Sequence, residues 1–286
     1  MARAHHTGSL ERRRQISLLP GYVLLLIWLV FTVVMIGWIV LASFSTTSEI
    51  FTGALLESGF HFENYIRVLE KHKLGLYFIN SLIYSVSACI GIVVIAAPAA
   101  YILGRFTFRG KGVVTSAFVT CMSIPSVMLI LPLFKMATSA HLTGTRWVLI
   151  LLYICLNVPF GVFFLTGFFT SLPNALEEAA SIDGCTDNQA FWKVMFPLAQ
   201  PGIVTLTIFN FMGIWNEYFI ALIFGSNSEL RTIATGLQSI VQSMKYSGDW
   251  AGLFAGVVVA FLPTFILYLF LSNKIIAGVT GGAVKE

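Results

Sequence analysis

Residues 18–43 read LLPGYVLLLIWLVFTVVMIGWIVLAS and contain no Asp, Glu, Lys, Arg or His. A hydrocarbon core of ~30 Å needs about 20 such residues in a helix. A lone strand cannot substitute, because its N–H and C=O groups would stay unpaired in lipid. The stretch therefore predicts a membrane-spanning helix. Arg12, Arg13 and Arg14 flank it on the N-terminal side. A cleaved secretory signal also has a basic flank, but its apolar core runs only ~7–15 residues. The reading is an uncleaved first span.

Long stretches without a charged residue recur at 74–104, 112–134, 147–176, 194–216 and 250–273. Their best apolar cores are 79–103, 113–134, 147–169, 202–224 and 253–271. The expected fold is all-α, a polytopic membrane protein with six transmembrane helices. The fifth core overruns its charge-free stretch, because Glu217 lies inside it. An ionisable group within a span is expensive and by default a functional candidate. Two readings stand for Glu217: snorkelling to the headgroups, or facing the pore or a partner subunit together with Asn216.

Composition agrees. Of 286 residues, 57% are hydrophobic and 10% charged, where a soluble domain carries about 25% charged residues. Mean hydropathy is +0.85. These values exclude disorder and argue against a soluble enzyme. The net charge of +4 gives no footprint for nucleic acid; membrane lipid is the expected surroundings. Cys89, Cys121 and Cys155 lie in apolar runs and, with Cys185, suggest no disulfide framework.

Six spans place both termini on one side, and the bias of Lys and Arg selects which. With cytoplasmic termini, ten of the 17 basic residues fall inside: Arg3, Arg12, Arg13, Arg14, Arg105, Arg109, Lys111, Lys193, Lys274 and Lys285. The segments outside the membrane are too short for a core of their own.

One polar segment does not read as a linker. Residues 171–202, SLPNALEEAASIDGCTDNQAFWKVMFPLAQPG, are cytoplasmic in this topology. Ser171 can cap a first helix, and Pro173 is tolerated in its first turn. Asp183-Gly184 supplies a turn, since Gly enters the left-handed region without a Cβ clash. Thr186 or Asp187 can cap a second helix running to Phe196, before Pro197 and Pro201 break the pattern. Ala179 and Ala180 set two small residues beside Glu178 on an exposed element. That combination suits close approach by a cytoplasmic protein carrying a basic group.

Glu178-Ala179-Ala180, three residues, Gly184, nine residues, then Val194-Met195-Phe196-Pro197 resembles the EAA loop of ABC-importer permeases. Val194 and Phe196 depart from the family's Ile and Leu but stay apolar. Asp183 and Pro201 match the sugar-importer branch, while Cys185 stands where Ala is usual. The resemblance continues through Phe62-Glu63-Asn64-Tyr65, Asn80-Ser81-Leu82, Ala100-Tyr101, Arg105-Phe106, Phe108 to Lys111, Trp215-Asn216 and Gly278 to Lys285. The ordered set looks like a six-span inner-membrane permease of the maltose-importer type.

That resemblance implies an ABC type I importer transmembrane domain. Its expected division is 1–45 as cytoplasmic tail and first helix, 76–273 as the five-helix domain with the coupling loop 171–201, and 274–286 as a cytoplasmic tail. It implies a transport subunit, not an enzyme, in a bacterial cytoplasmic membrane. It further implies a second permease, two cytoplasmic ATPase subunits that bind the ATP, and an extracytoplasmic solute-binding protein. Glu178, Ala179, Ala180, Asp183 and Gly184 would form the ATPase-coupling element, with Glu178 offered to an ATPase arginine. The solute would be a sugar or oligosaccharide, with glycerol phosphate or another polyol as the alternative.

The chain shows no nucleotide site of its own. A P-loop needs Gly, four residues, Gly, Lys and Ser or Thr; Gly104 to Gly110-Lys111 is one residue too long, and Gly112 follows. No cofactor or metal set is expected. An ion-driven transporter predicts several buried charges and repeated halves, yet Glu217 is the one candidate charge and no repeat is visible. An intramembrane enzyme would need a nucleophile–base pair, and none appears.

Overall fold

The computed structural model describes the backbone of residues 4–225 and 227–283 and the side chains of 18–271 except 226 and 245. The side chains of Arg12–Arg14 and of the residues beyond 271 lie outside the described residues. The order is α1 (Ala4–Phe44), α2 (Thr47–Thr52), α3 (Glu63–Glu70), α4 (Leu74–Arg105), α5 (Lys111–Ser123), α6 (Ile130–Ser139) and α7 (Arg146–Ser171). The chain continues as α8 (Ala175–Ile182), α9 (Asp187–Ala190), α10 (Phe196–Leu198), α11 (Gln200–Trp215), α12 (Phe219–Phe224), α13 (Ile233–Ser247) and α14 (Trp250–Ala283). No strand occurs among the described residues.

Four helical stretches are long and apolar enough to cross a membrane: Leu18–Phe44, Leu74–Arg105, Arg146–Ser171 and Trp250–Leu271. The remaining two predicted spans are not straight helices. Lys111–Ser123 and Ser126–Ser139 meet at 95°, and Asp187–Leu198 and Gln200–Trp215 meet at 69°. By length and composition the total is up to six, with Asp187–Leu198 belonging to the loop before span five and Gln200–Trp215 to the span itself. The first bend sits at Pro125, which has no N–H and pushes Ile124 out of the helical region to ψ 118°.

The centre of the bundle is α4 against α7. Small residues allow the close approach: a Cβ on Gly161 would stand 3.0 Å from Ala96 Cβ and 3.1 Å from Ile92, and one on Gly91 would meet Ile154. Helices in lipid associate by this packing, because the tails are as apolar as the side chains. Tyr84, Ile92, Leu149, Tyr153, Leu165, Phe169 and Leu206 fill the core around α4, α7 and α11. Most of the described side chains of α1, from Leu18 on, are exposed, as expected where the solvent is lipid, although Trp38 meets Phe254 of α14 edge-on at 5.2 Å.

The end of the bundle near α3 is closed by polar ties. Arg67 donates to both carboxylate oxygens of Asp249, at 2.8 and 2.9 Å, and to Asn64 Oδ1. Asn64 Nδ2 donates to the Ser43 and Ser45 carbonyls, each at 3.0 Å. Asn80, fully buried, donates to the carbonyls of Glu229 and Arg231, and Ser81 Oγ accepts from Ile233 N–H. The Asn80-Ser81 pair thereby stitches the segment before α13 to α4. Gly256 lets α14 pack closely, since a Cβ there would lie 3.0 Å from Leu237 and 3.3 Å from Leu74, whereas Gly252 faces the Asp249 carboxylate.

Candidate functional site: the loop between spans four and five and the break in span five

Pro173 ends α7. Its predecessor Leu172 is extended at ψ 143°, as residues before proline must be. Ser171 does not cap α8, because α7 continues through it and its hydroxyl donates to the Phe168 carbonyl at 2.7 Å. The turn after α8 forms as expected. Gly184 has φ +79°, and Cys185 N–H reaches back to the Ala180 carbonyl at 2.9 Å, closing a Schellman motif. Of the two candidate caps, Thr186 is the one used: it forms a capping box with Gln189.

The predicted second helix is not regular. After α9, residues Phe191–Met195 form a π-helical turn, and Phe196 N–H bonds to the Phe191 carbonyl. Pro197 has no N–H to give Lys193, so the ladder shifts register here. Phe191 is buried, and its ring lies 5.0 Å from Tyr101 and 6.3 Å from Phe169.

Glu178, Ala179, Asp183 and Gly184 are exposed together on one rim. Ala180 is not with them. At 4% exposure it turns inward beside Leu176, its neighbour one helical turn back. Its small side chain seats α8 on the bundle. Ile182 shares the exposed rim, 87% exposed on a polar segment.

Arg105, the last residue of α4, reaches under this loop. Its side chain is 5% exposed and pairs with Glu177 Oε2 at 2.6 Å from Nη2 and 2.7 Å from Nε. It also donates to the Leu172 carbonyl at 2.8 Å and, more loosely, to those of Phe169 and Pro173 at 3.4 Å. A cavity of ≈ 170 Å³ lies beside the pair, lined by Tyr101, Glu177, Ser181, Cys185 and Asp187.

Sequence reasoning missed the Arg105–Glu177 pair. The partners are 72 positions apart, and Glu177 reads like its neighbour Glu178. The available signal was helical phase: Ala180 follows Glu177 by three residues, so the two share a side.

Span five contains a second feature. α11 stops at Trp215, whose Nε1 donates to the Ala260 carbonyl at 3.0 Å. The chain breaks over 216–218 and resumes as α12. Glu217 turns inward and caps the new helix: its carboxylate accepts from Ile220 N–H at 2.7 Å, Ala221 N–H at 3.0 Å and the Tyr153 hydroxyl at 2.9 Å. Asn216 is exposed beside it. The structure thus separates the two: Asn216 presents a surface, and Glu217 holds the break.

Residues 92–276 match the family model described as binding-protein-dependent transport system inner membrane component. The chain is 35% identical over 266 residues to the diacetylchitobiose uptake system permease protein NgcG of Streptomyces coelicolor, covering 93% of this chain and 88% of that protein. It is 34% identical to the trehalose transport system permease protein SugB of Mycobacterium tuberculosis, covering 87% and 90%. Its fold superposes with a TM-score of 0.81 and 25% identity on a chain from the crystal structure of a bacterial ABC transporter involved in the import of the acidic polysaccharide alginate, covering 92% of this chain and 97% of that one.

Proposed function

Because this chain belongs to the family of binding-protein-dependent transport system inner membrane components, a group of multi-pass transport subunits, we propose that it forms half of the translocation pathway of an ATP-driven importer for a sugar or oligosaccharide. A second permease supplies the other half, two cytoplasmic ATPase subunits bind the ATP, and an extracytoplasmic binding protein delivers the solute. The sugar assignment is supported by the diacetylchitobiose and trehalose permeases among its relatives.

The observation that carries the reading is the exposed rim of Glu178, Ala179, Ile182, Asp183 and Gly184, held against the ends of α4 and α7. Ala179 lets a partner backbone approach, Ile182 fills an apolar recess on it, and Glu178 pairs with a basic side chain. ATP-driven closure of the ATPase pair displaces this rim and swings the spans. The chain supplies no phosphate-binding loop, so hydrolysis belongs to the partners. The basic bias, and docking of cytoplasmic ATPase subunits on the loop, support a cytoplasmic side for the loop and both termini. Asn216 contacts the solute path or the second permease.

The test is capture of the ATPase subunit by Glu178→Lys and Gly184→Val together with solute uptake by cells. Loss of both is expected. Wild-type capture and uptake in both variants would reduce residues 171–201 to a connector.

A further inference from the structure

The Arg105 guanidinium touches three elements at once. Nε and Nη2 grip the first turn of α8 through Glu177, Nη1 bonds the Leu172 carbonyl at 2.8 Å and lies 3.4 Å from that of Phe169 at the end of α7, and the side chain is rooted in the last residue of α4. Carbonyls at a helix C-terminus lack intrahelical partners and carry partial negative charge. A planar cation with five N–H donors suits them and a carboxylate together. The contact is nearly dry on the Arg105 side, at 5% exposure, so little water is at hand to replace a lost partner.

α8 has few other holds. It is eight residues long, it joins α7 through an extended Leu172 and Pro173, and it lacks a side-chain N-cap. Leu176 and Ala180 also face inward, which sets distance but not angle. Apolar contact is non-directional, whereas two charge-assisted hydrogen bonds converging on the single oxygen Glu177 Oε2 are directional.

We propose that Arg105 and Glu177 are the positioning pair of coupling: they convert a displacement of α8 into a joint movement of α4 and α7. Glu178, one residue on, faces outward and serves docking; Glu177 faces inward and serves transmission. This rests on the reading of residues 171–201 as the ATPase-docking element.

The test uses the complete transporter, with both permeases, its ATPase subunits and binding protein, reconstituted in vesicles. Solute taken up per ATP hydrolysed is measured for Glu177→Gln and Arg105→Lys. Both variants keep the exposed rim, so the ATPase subunits should co-purify at the wild-type ratio. Solute per ATP should fall at least about five-fold, the lower end of a typical inter-site coupling. Thermal midpoints of the assembled variants should stay near that of the wild type while the ratio falls, which a merely structural role would not predict. Should Arg105→Lys fail to assemble, Glu177→Gln carries the test, because its side chain is 26% exposed and keeps an acceptor. An unchanged ratio in assembled Glu177→Gln transporter overturns the proposal. Failure of the docking reading would look different: ATPase capture would survive Glu178→Lys.

Discussion

The Tyr153 hydroxyl on α7 donates to Glu217 Oε2 at 2.9 Å, across the break in span five. The same carboxylate accepts the first free N–H groups of α12. An acid in an apolar span is thereby spent on the backbone, where water cannot satisfy the groups exposed by the break.

Glu217→Ala should therefore weaken the protein through three unpaired donors, each costing about 1–3 kcal/mol when buried. Thermal unfolding in detergent should show a clearly lower midpoint, and uptake should fall. Tyr153→Phe removes one donor along with its need for a partner and should cost much less. Equal midpoints for Glu217→Ala and wild type would return Glu217 to the headgroups.

Gly184→Val should mis-aim α8 and α9. At φ +79° the left-handed backbone costs a residue with a Cβ about 1–2 kcal/mol, and β-branching adds to it. Gly184→Asn, which tolerates this region better, should retain more ATPase binding in a pull-down. Indistinguishable binding by the two variants would contradict the turn's role.

Gly161→Val should disturb the α4–α7 contact, since even a Cβ would sit 3.0 Å from Ala96 and overpacking costs about 1–3 kcal/mol. Gly167→Ala, on the same helix with nothing within 4 Å, should be neutral or slightly stabilising. Comparing the two midpoints in detergent checks the packing without reference to transport.

The loop between α1 and α3 should loosen only in strong acid. Hydrogen bonds from the Ser58 hydroxyl, Thr46 N–H and Ser58 N–H hold the Glu49 carboxyl at about 2, below its ordinary 4.5. A depressed pKa contributes stability that is fully present above the ordinary value and is lost as pH falls through the shifted one. The protection of the Thr46 and Ser58 amides against exchange, corrected for the intrinsic slowing of exchange in acid, should fall between pH 4.5 and about 2 in the wild type. Glu49→Gln should be less protected throughout and show no such fall in protection.

Cys185 is half-buried at the turn beside Gly184. With residues 171–201 cytoplasmic, an impermeant thiol reagent added outside intact cells should miss it and should reach it in inverted vesicles. Labelling of intact cells at Cys185 would reverse the topology.

Helix class, span count and the turn at Gly184 were legible in the sequence. They depend on properties local to a few turns: unbroken hydropathy, a glycine after an amphipathic run, a capping Thr. The places where a single residue breaks a helix were harder to read. Pro125 turns the third span by 95°, yet proline is often tolerated inside membrane helices, as Pro98 and Pro159 are here. The local rule could not say which proline bends the chain.

The division of labour on the coupling loop depended on packing across the chain. Motif spacing marked Glu178, Ala179 and Ala180 as a unit, but the bundle buries Ala180 and leaves Ile182 exposed. Glu177 and Glu178 are chemically identical, and one helical step of about 100° separates the partner of Arg105 from the surface. Likewise Glu217 announced itself as a charge in a span, and only the approach of Tyr153 and the start of α12 decided what it binds. Hydropathy is a property of each residue and survives in a linear reading. A hydrogen bond depends on where two distant segments meet to within a few tenths of an ångström, and that position exists only once α4, α7 and α11 have packed.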